Sequence, residues 1–127
     1  PSRINMSQKL SPNSRCIALA TYDGDLLNAI IETPMGSHAK YSYDKKSCLF
    51  KLSTIMPAGA VFPFNFGFLP STQGEDGDPL DVLVLMDAAA HPGCLIPARL
   101  LGVIEAEQEE KDGKTVRNLW RMERHDR

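Results

Sequence analysis

No run of apolar residues in this 127-residue chain approaches the roughly 20 needed to cross a bilayer as a helix, so no membrane partner is expected. A basic excess is missing too. Fourteen Lys and Arg stand against 16 Asp and Glu, for a formal net charge of −2, which gives no electrostatic case for a nucleic-acid partner. Cysteine is scarce: Cys16, Cys48 and Cys94 form no CxxC pair and no zinc spacing, and reduced, mostly buried thiols are the expectation. The first residues carry no signal-peptide pattern, and a cytoplasmic setting is expected. His38, His91 and His125 are as scattered as the cysteines, and His91 falls in the turn Ala90-His91-Pro92-Gly93, facing solvent. No His or Cys is therefore assigned to a metal. Internal repeats and low-complexity tracts are also missing.

What is present is ordinary globular composition, 43% hydrophobic and 24% charged, in a chain long enough for one modest core. Residues 1–15 are rich in Ser, Asn, Gln and Pro and read as a loose arm ahead of a single domain over residues 16–127. From there the signals are those of short strands separated by turns. Strands are predicted over residues 26–32, 39–43, 49–52, 80–86, 95–106 and 115–120. Turns are predicted at Asp44-Lys45-Lys46-Ser47, His91-Pro92-Gly93 and Lys111-Asp112-Gly113-Lys114. Residues 80–86 are nearly all apolar, which predicts burial on both faces. Residues 62–68 alternate Phe with Pro, Asn and Gly and suit a bent strand or an ordered loop. Turn signals every 8–12 residues point to a mainly β fold closed into a small barrel.

The densest chemistry is Glu75-Asp76-Gly77-Asp78-Pro79-Leu80-Asp81, three aspartates within six residues just before an apolar strand. Carboxylates this close repel, and each is driven toward its protonated form unless a cation compensates. Asp76 and Asp78 are two apart, so extended backbone points both the same way. Gly77 permits a tight turn and Pro79 fixes φ. Hard divalent ions take one or two carboxylates plus water and phosphate oxygens, so the run suits a cation site open to phosphate. An EF-hand loop is excluded. Counted from Asp76, position 6 is Asp81 rather than Gly, and position 12 is Asp87 rather than Glu. The competing reading is a solvated Asp-Gly turn between strands.

Upstream, Val61-Phe62-Pro63-Phe64-Asn65-Phe66-Gly67-Phe68-Leu69-Pro70 leads into that run. Read together through Val82-Leu83-Val84, the two segments resemble the family I soluble inorganic pyrophosphatases. That family carries an aromatic-Pro-x-x-aromatic-Gly-aromatic stretch, a short loop, and Asp-x-Asp-Pro-x-Asp. Ile31-Glu32-Thr33-Pro34 and Lys40-Tyr41 resemble further family segments, so the likeness runs from about residue 28 to about residue 107. It implies an OB-like five-stranded barrel with a few short helices, hydrolysis of pyrophosphate to two phosphates, Mg²⁺ as cofactor, and a homo-oligomer. It also assigns residues. Asp76, Asp78 and Asp81, with Glu107 and Asp112, become metal ligands. Asp78 becomes the carboxylate nearest the nucleophile, with Glu32 and Lys40 beside it in the catalytic set. Lys40, Lys51 and Lys114 face the phosphates.

Departures from the family pattern are equally specific. Phe66 stands where the family usually has a phosphate-binding tyrosine, Ser42 follows Lys40-Tyr41 where a glutamate is common, and only Lys51 is basic where an arginine is usual. Glu107, Asp112 and Lys114 reproduce acidic-x4-acidic-x-basic, while a second register places the later acidic position after Asn118, at Leu119-Trp120-Arg121. Residues 119–127 resemble no part of the family, and its C-terminal Tyr-Lys pair and long helix have no counterpart here. Impaired hydrolysis is the expectation. The alternative is a non-catalytic OB-like domain that binds metal or phosphate. Oligonucleotide binding by such a barrel is disfavoured by the acidic balance.

Overall fold

The computed structural model describes residues 17–74, 77–110 and 113–125, and of residues 106–110 and 113–117 only the backbone. The expected arm, residues 1–15, lies outside them. Eight strands follow in order: β1 (Tyr22–Asp23), β2 (Leu26–Thr33), β3 (Ala39–Asp44), β4 (Leu49–Ile55), β5 (Asn65–Phe68), β6 (Asp81–Leu85), β7 (Leu95–Glu110) and β8 (Gly113–Arg124). Five of them close a ring. β2 pairs with β5, β5 with β6, β6 with β8, β8 with β7, and β7 returns to β2. Every contact in the ring is antiparallel except β6 with β8. The OB-like closed barrel is thus realised, with β1 added to β2 at one end.

Closure explains the burial pattern. A barrel has one interior face, so inward residues recur every second position. Leu27, Ala29 and Ile31 of β2, Val82 and Val84 of β6, Ile96 and Ala98 of β7 and Met122 of β8 meet inside, joined by Leu69 and Ala90. In β6 the burial alternates between full and partial, rather than covering both faces as the apolar run suggested. The outward side of that strand meets only part of its surroundings.

Among the described residues no helix occurs, where a few short ones were expected. The connections explain why. Residues 56–64 contain Pro57, Gly59 and Pro63, and in residues 86–94 Pro92 and Gly93 leave only six residues free of Pro and Gly, too few for a helix to hold by itself. The β7–β8 hairpin is longer than predicted, with register running from Ala98↔Arg124 to Glu110↔Gly113. Only residues 95–98 of β7 reach β2 and only residues 120–123 of β8 reach β6, so the remainder extends past the barrel as a two-stranded ribbon. β3 and β4 form a separate hairpin. At its turn, the Asp44 carboxylate accepts hydrogen bonds from the Lys46 and Ser47 amides.

The thiols depart from expectation. Cys94 is free and half-buried, but Cys48 is exposed and disulfide-bonded. His91 is exposed in its turn, as the sequence indicated.

Candidate functional site: a mixed-charge cleft between β3, β5 and the loop before β6

Glu32 is placed by an irregularity. The register of β2 on β5 runs Ile30↔Phe68, Ile31↔Gly67, Thr33↔Phe66, which leaves Glu32 as the extra residue of a β-bulge. Bulges re-aim side chains. Here the Glu32 carboxylate leaves the sheet and accepts the Tyr43 amide at 2.8 Å. On β3, alternation turns Lys40 and Ser42 the same way. The loop before β6 is tied at its base: Leu69 donates to the Leu80 carbonyl at 3.0 Å, and the Thr72 hydroxyl donates to Leu69 O while accepting from Leu80 N. At its tip Gly74 N donates to Asp78 O at 2.7 Å, and Gly77 takes φ +87°, a left-handed conformation glycine adopts without strain. These bonds fix the backbone at Asp78.

The result is a cleft of about 230 Å³. Glu32, Asp78 and Asp81 face Lys40 and Lys45 across it, and Ser42, Tyr43, Phe66, Phe68 and Pro79 complete the lining. Three carboxylates and two ammonium groups share this lining, and both burial and these charges act on Glu32. Burial raises its pKa above the ordinary glutamate value, and the nearby charges of Asp81 and Asp78 push the same way; the Tyr43 amide and Lys40 pull it down. Tyr43 and Phe68 stack at 5.6 Å and 25°, and Phe50 meets Tyr43 from another side at 5.3 Å, so the aromatic floor is braced.

Among the assigned residues, Glu32, Lys40, Phe66, Asp78 and Asp81 come together in this cleft. Lys51 does not line it. It sits exposed on β4 opposite Ser42. Asp76 and Asp112 lie outside the described residues, as do the side chains of Glu107 and Lys114, whose backbones run in the β7–β8 ribbon. Among the described residues, no group of three or more His, Cys, Asp or Glu is placed to hold a metal ion by itself. The donor chemistry of Asp78 and Asp81 still fits a hard divalent ion, because such ions take one or two carboxylates and complete their shell with water and phosphate oxygens.

The sequence reading assigned no site role to Tyr43, Lys45, Phe68 or Pro79. Lys45 falls in a polar turn, and Phe68 is both cleft lining and core, at 5% exposure. Asn65 was seen only as part of a motif. It is fully buried, accepts from Met35 N and Ala90 N, and donates to Ala88 O, so one amide pins two loops to the start of β5.

A small closed β-barrel with a mixed-charge cleft at one side is the class that fold and site define. Comparison with known proteins narrows it. The family model for inorganic pyrophosphatase matches residues 29–117. A Saccharolobus solfataricus protein named inorganic pyrophosphatase is 46% identical over 93 residues, covering 72% of this chain and 54% of that protein. A rice soluble inorganic pyrophosphatase is 44% identical over 92 residues, covering 72% and 43%. Among solved structures, the Helicobacter pylori inorganic pyrophosphatase superposes with a TM-score of 0.76 at 34% identity, over 85% of this chain and 61% of that one. The Neisseria gonorrhoeae inorganic pyrophosphatase gives 0.77 at 32%, over 88% and 64%. The chain belongs to the inorganic pyrophosphatase family. It spans about half the length of the curated relatives it matches.

Proposed function

We propose that this chain binds pyrophosphate in the cleft and hydrolyses it to two phosphates, with Mg²⁺ as the cofactor. The observation that carries this is the convergence of Glu32, Asp78 and Asp81 with Lys40 and Lys45 in one cleft of a family member. Pyrophosphate is a dense anion, and phosphoryl transfer depends on positioning and charge neutralisation. Asp78 and Asp81, together with Asp76, Glu107 and Asp112, are the proposed metal ligands. A divalent ion there supplies Lewis-acid polarisation of phosphoryl oxygens. Lys40 and Lys45 neutralise phosphate charge, Lys51 and Lys114 are proposed as further phosphate-binding cations, and Asp78 orients the attacking water. Glu32, held by the Tyr43 amide, keeps its neighbours in register.

Catalysis is proposed to be slow. Phe66 offers the cleft a ring without a hydroxyl, so one donor to phosphate is missing. The same feature favours a second reading, a domain that binds metal and phosphate without turning over. Self-association and a cytoplasmic setting belong to the proposal. Relatives named soluble support the setting and the Cys48 disulfide opposes it. Among the described residues no helix is long and apolar enough to cross a membrane.

The test is phosphate release from pyrophosphate by the purified chain in Mg²⁺. Turnover below about 10 s⁻¹, the typical enzyme value, is expected, with loss of activity in Asp78→Asn. Faster turnover overturns the impairment, and an Asp78→Asn variant at the wild-type rate overturns the assignment. Absence of both turnover and pyrophosphate binding overturns the reading altogether.

A further inference from the structure

The cationic wall of the cleft does not belong to the barrel. Lys40, Ser42 and Lys45 come from β3 and its turn, and β3 pairs in register only with β4. No backbone ladder joins β3 to β2. In its place stands a side chain. Thr33 ends β2 with no exposure to solvent. Its hydroxyl accepts the Tyr41 amide at 3.0 Å and donates to the Tyr41 carbonyl at 3.0 Å. One hydroxyl thus satisfies both backbone groups of a single β3 residue, as an opposing strand would. Tyr41 lies between Lys40 and Ser42, whose own backbone edges face β4 through Lys40↔Thr54 and Ser42↔Lys51. The bond from Tyr43 N to Glu32 lies on the same edge two residues on. The hairpin is therefore fastened to the barrel by side chains that follow one another on β2.

We propose that Thr33 is a positioning residue which sets the distance between the lysine wall of β3 and the carboxylate wall of Asp78 and Asp81, and so sets affinity for the diphosphate anion. Thr33 is not among the residues that line the cleft. It acts by holding Tyr41, and through Tyr41 the two flanking side chains. A hairpin freed at this point must be re-ordered each time an anion binds, which weakens binding. Asp78, which orients the attacking water, and Asp81 lie off the hairpin and stay in place, while Lys40 returns to its position once the anion is bound, so KM moves more than kcat. The inference rests on the cleft being the pyrophosphate site.

Thr33→Val keeps the shape and removes the hydroxyl, and Thr33→Ser keeps the hydroxyl. In saturating Mg²⁺, Thr33→Val is expected to raise KM, or the calorimetric Kd where turnover is too slow to follow, by about tenfold, with kcat within about threefold of wild type. Thr33→Ser should restore the wild-type value. Amide exchange in the metal-free chain gives a readout independent of activity: the Tyr41 amide should exchange faster in Thr33→Val than in Thr33→Ser, with the Val84 amide of the barrel unchanged. Wild-type pyrophosphate affinity in Thr33→Val, or an unaltered Tyr41 exchange rate, overturns the inference while leaving the cleft assignment standing. A wild-type chain that binds no pyrophosphate overturns the cleft assignment, and with it the role of Thr33 in anion affinity.

Discussion

Phe66 puts a bare ring into a cleft whose other walls end mostly in charged or hydroxyl-bearing groups, with its edge tilted on Phe62 at 6.4 Å. The ring is in place, so Phe66→Tyr adds a donor with little rearrangement. A hydrogen bond to a charged acceptor is worth about 1.5–3 kcal/mol, so pyrophosphate affinity measured by calorimetry in Mg²⁺ should rise about tenfold or more. Unchanged affinity would mean that the hydroxyl points away from the anion. Glu32 gives a second expectation at this scale, for the metal-free chain. Its carboxyl is held above the ordinary value mainly by burial. As pH rises, the unfolded chain loses this proton first, so the folded state holds more protons between the two values. Glu32 thus leaves stability intact below the unfolded value and erodes it as pH rises through the folded one. Glu32→Gln keeps an oxygen for the Tyr43 amide and removes the charge. Its melting temperature in chelator should match wild type near pH 4 and exceed it near pH 7, taking glutamate's ordinary value of about 4.3 as the lower bound. A difference that does not change with pH would refute this. Of the two residues, Phe66 was legible from its motif alone. The bulge that aims Glu32 was not, because bulges arise from register between strands far apart in sequence.

The elements show why some boundaries could be read and others not. β2 and β6 were read nearly to the residue, because turn residues bracket compact apolar runs at both places. β5 suits either a strand or a loop from its sequence, since Pro63 and the alternating small residues obscure it. The reason for Gly67 appears only with its partner strand present. A Cβ built on Gly67 would stand 1.9 Å from Ile30 O and 2.8 Å from Ile30 C, both backbone atoms. Nothing there can yield unless β5 separates from β2. Gly67→Ala should therefore destabilise the chain by about 3 kcal/mol or more, at the upper end of overpacking effects. Gly77→Ala serves as the comparison. Among the described residues its Cβ would meet nothing closer than 3.8 Å, and the strain is that of its positive φ, so its loss should be smaller. Denaturant midpoints that rank the two variants the other way would refute the close-approach argument. The β3–β4 hairpin was visible as two strands and a turn, but its attachment through Thr33 and Glu32 was not. Local sequence carries the strands, while the attachment is a tertiary contact made by side chains.

At the scale of the whole molecule, the segment least like the family does the most to close the fold. Residues 119–127 offered no resemblance, and the family match ends at residue 117. Yet residues 120–123 pair in parallel with β6 while pairing antiparallel with β7, and among the described residues no other strand joins those two edges of the ring. Met122 on this stretch is completely buried in the core, and Trp120 packs beside it. A parallel pairing between distant strands leaves no local signature, which is why the closing strand could be seen as β-rich but not as the closure. Two variants test this. Met122→Ala removes most of a buried side chain and should cost about 2–5 kcal/mol, as large-to-small changes in a closed core do. Ending the chain after Asn118 removes both the pairing and Met122, opens β6 over Val82–Leu85 and β7 over Ala98–Ile104, and exposes the interior faces of Val82, Val84, Ile96 and Ala98. A chain this small has little core to spare. Cooperative thermal unfolding should vanish, with the circular dichroism losing its strand signature. Ending it after His125, whose amide still reaches Pro97 O at 2.9 Å, keeps every closing bond of the described residues and should leave the melting curve in place. If the chain ended at Asn118 melts cooperatively at the wild-type temperature, the barrel is held closed by something other than β8, and the topology given to its last strand is wrong.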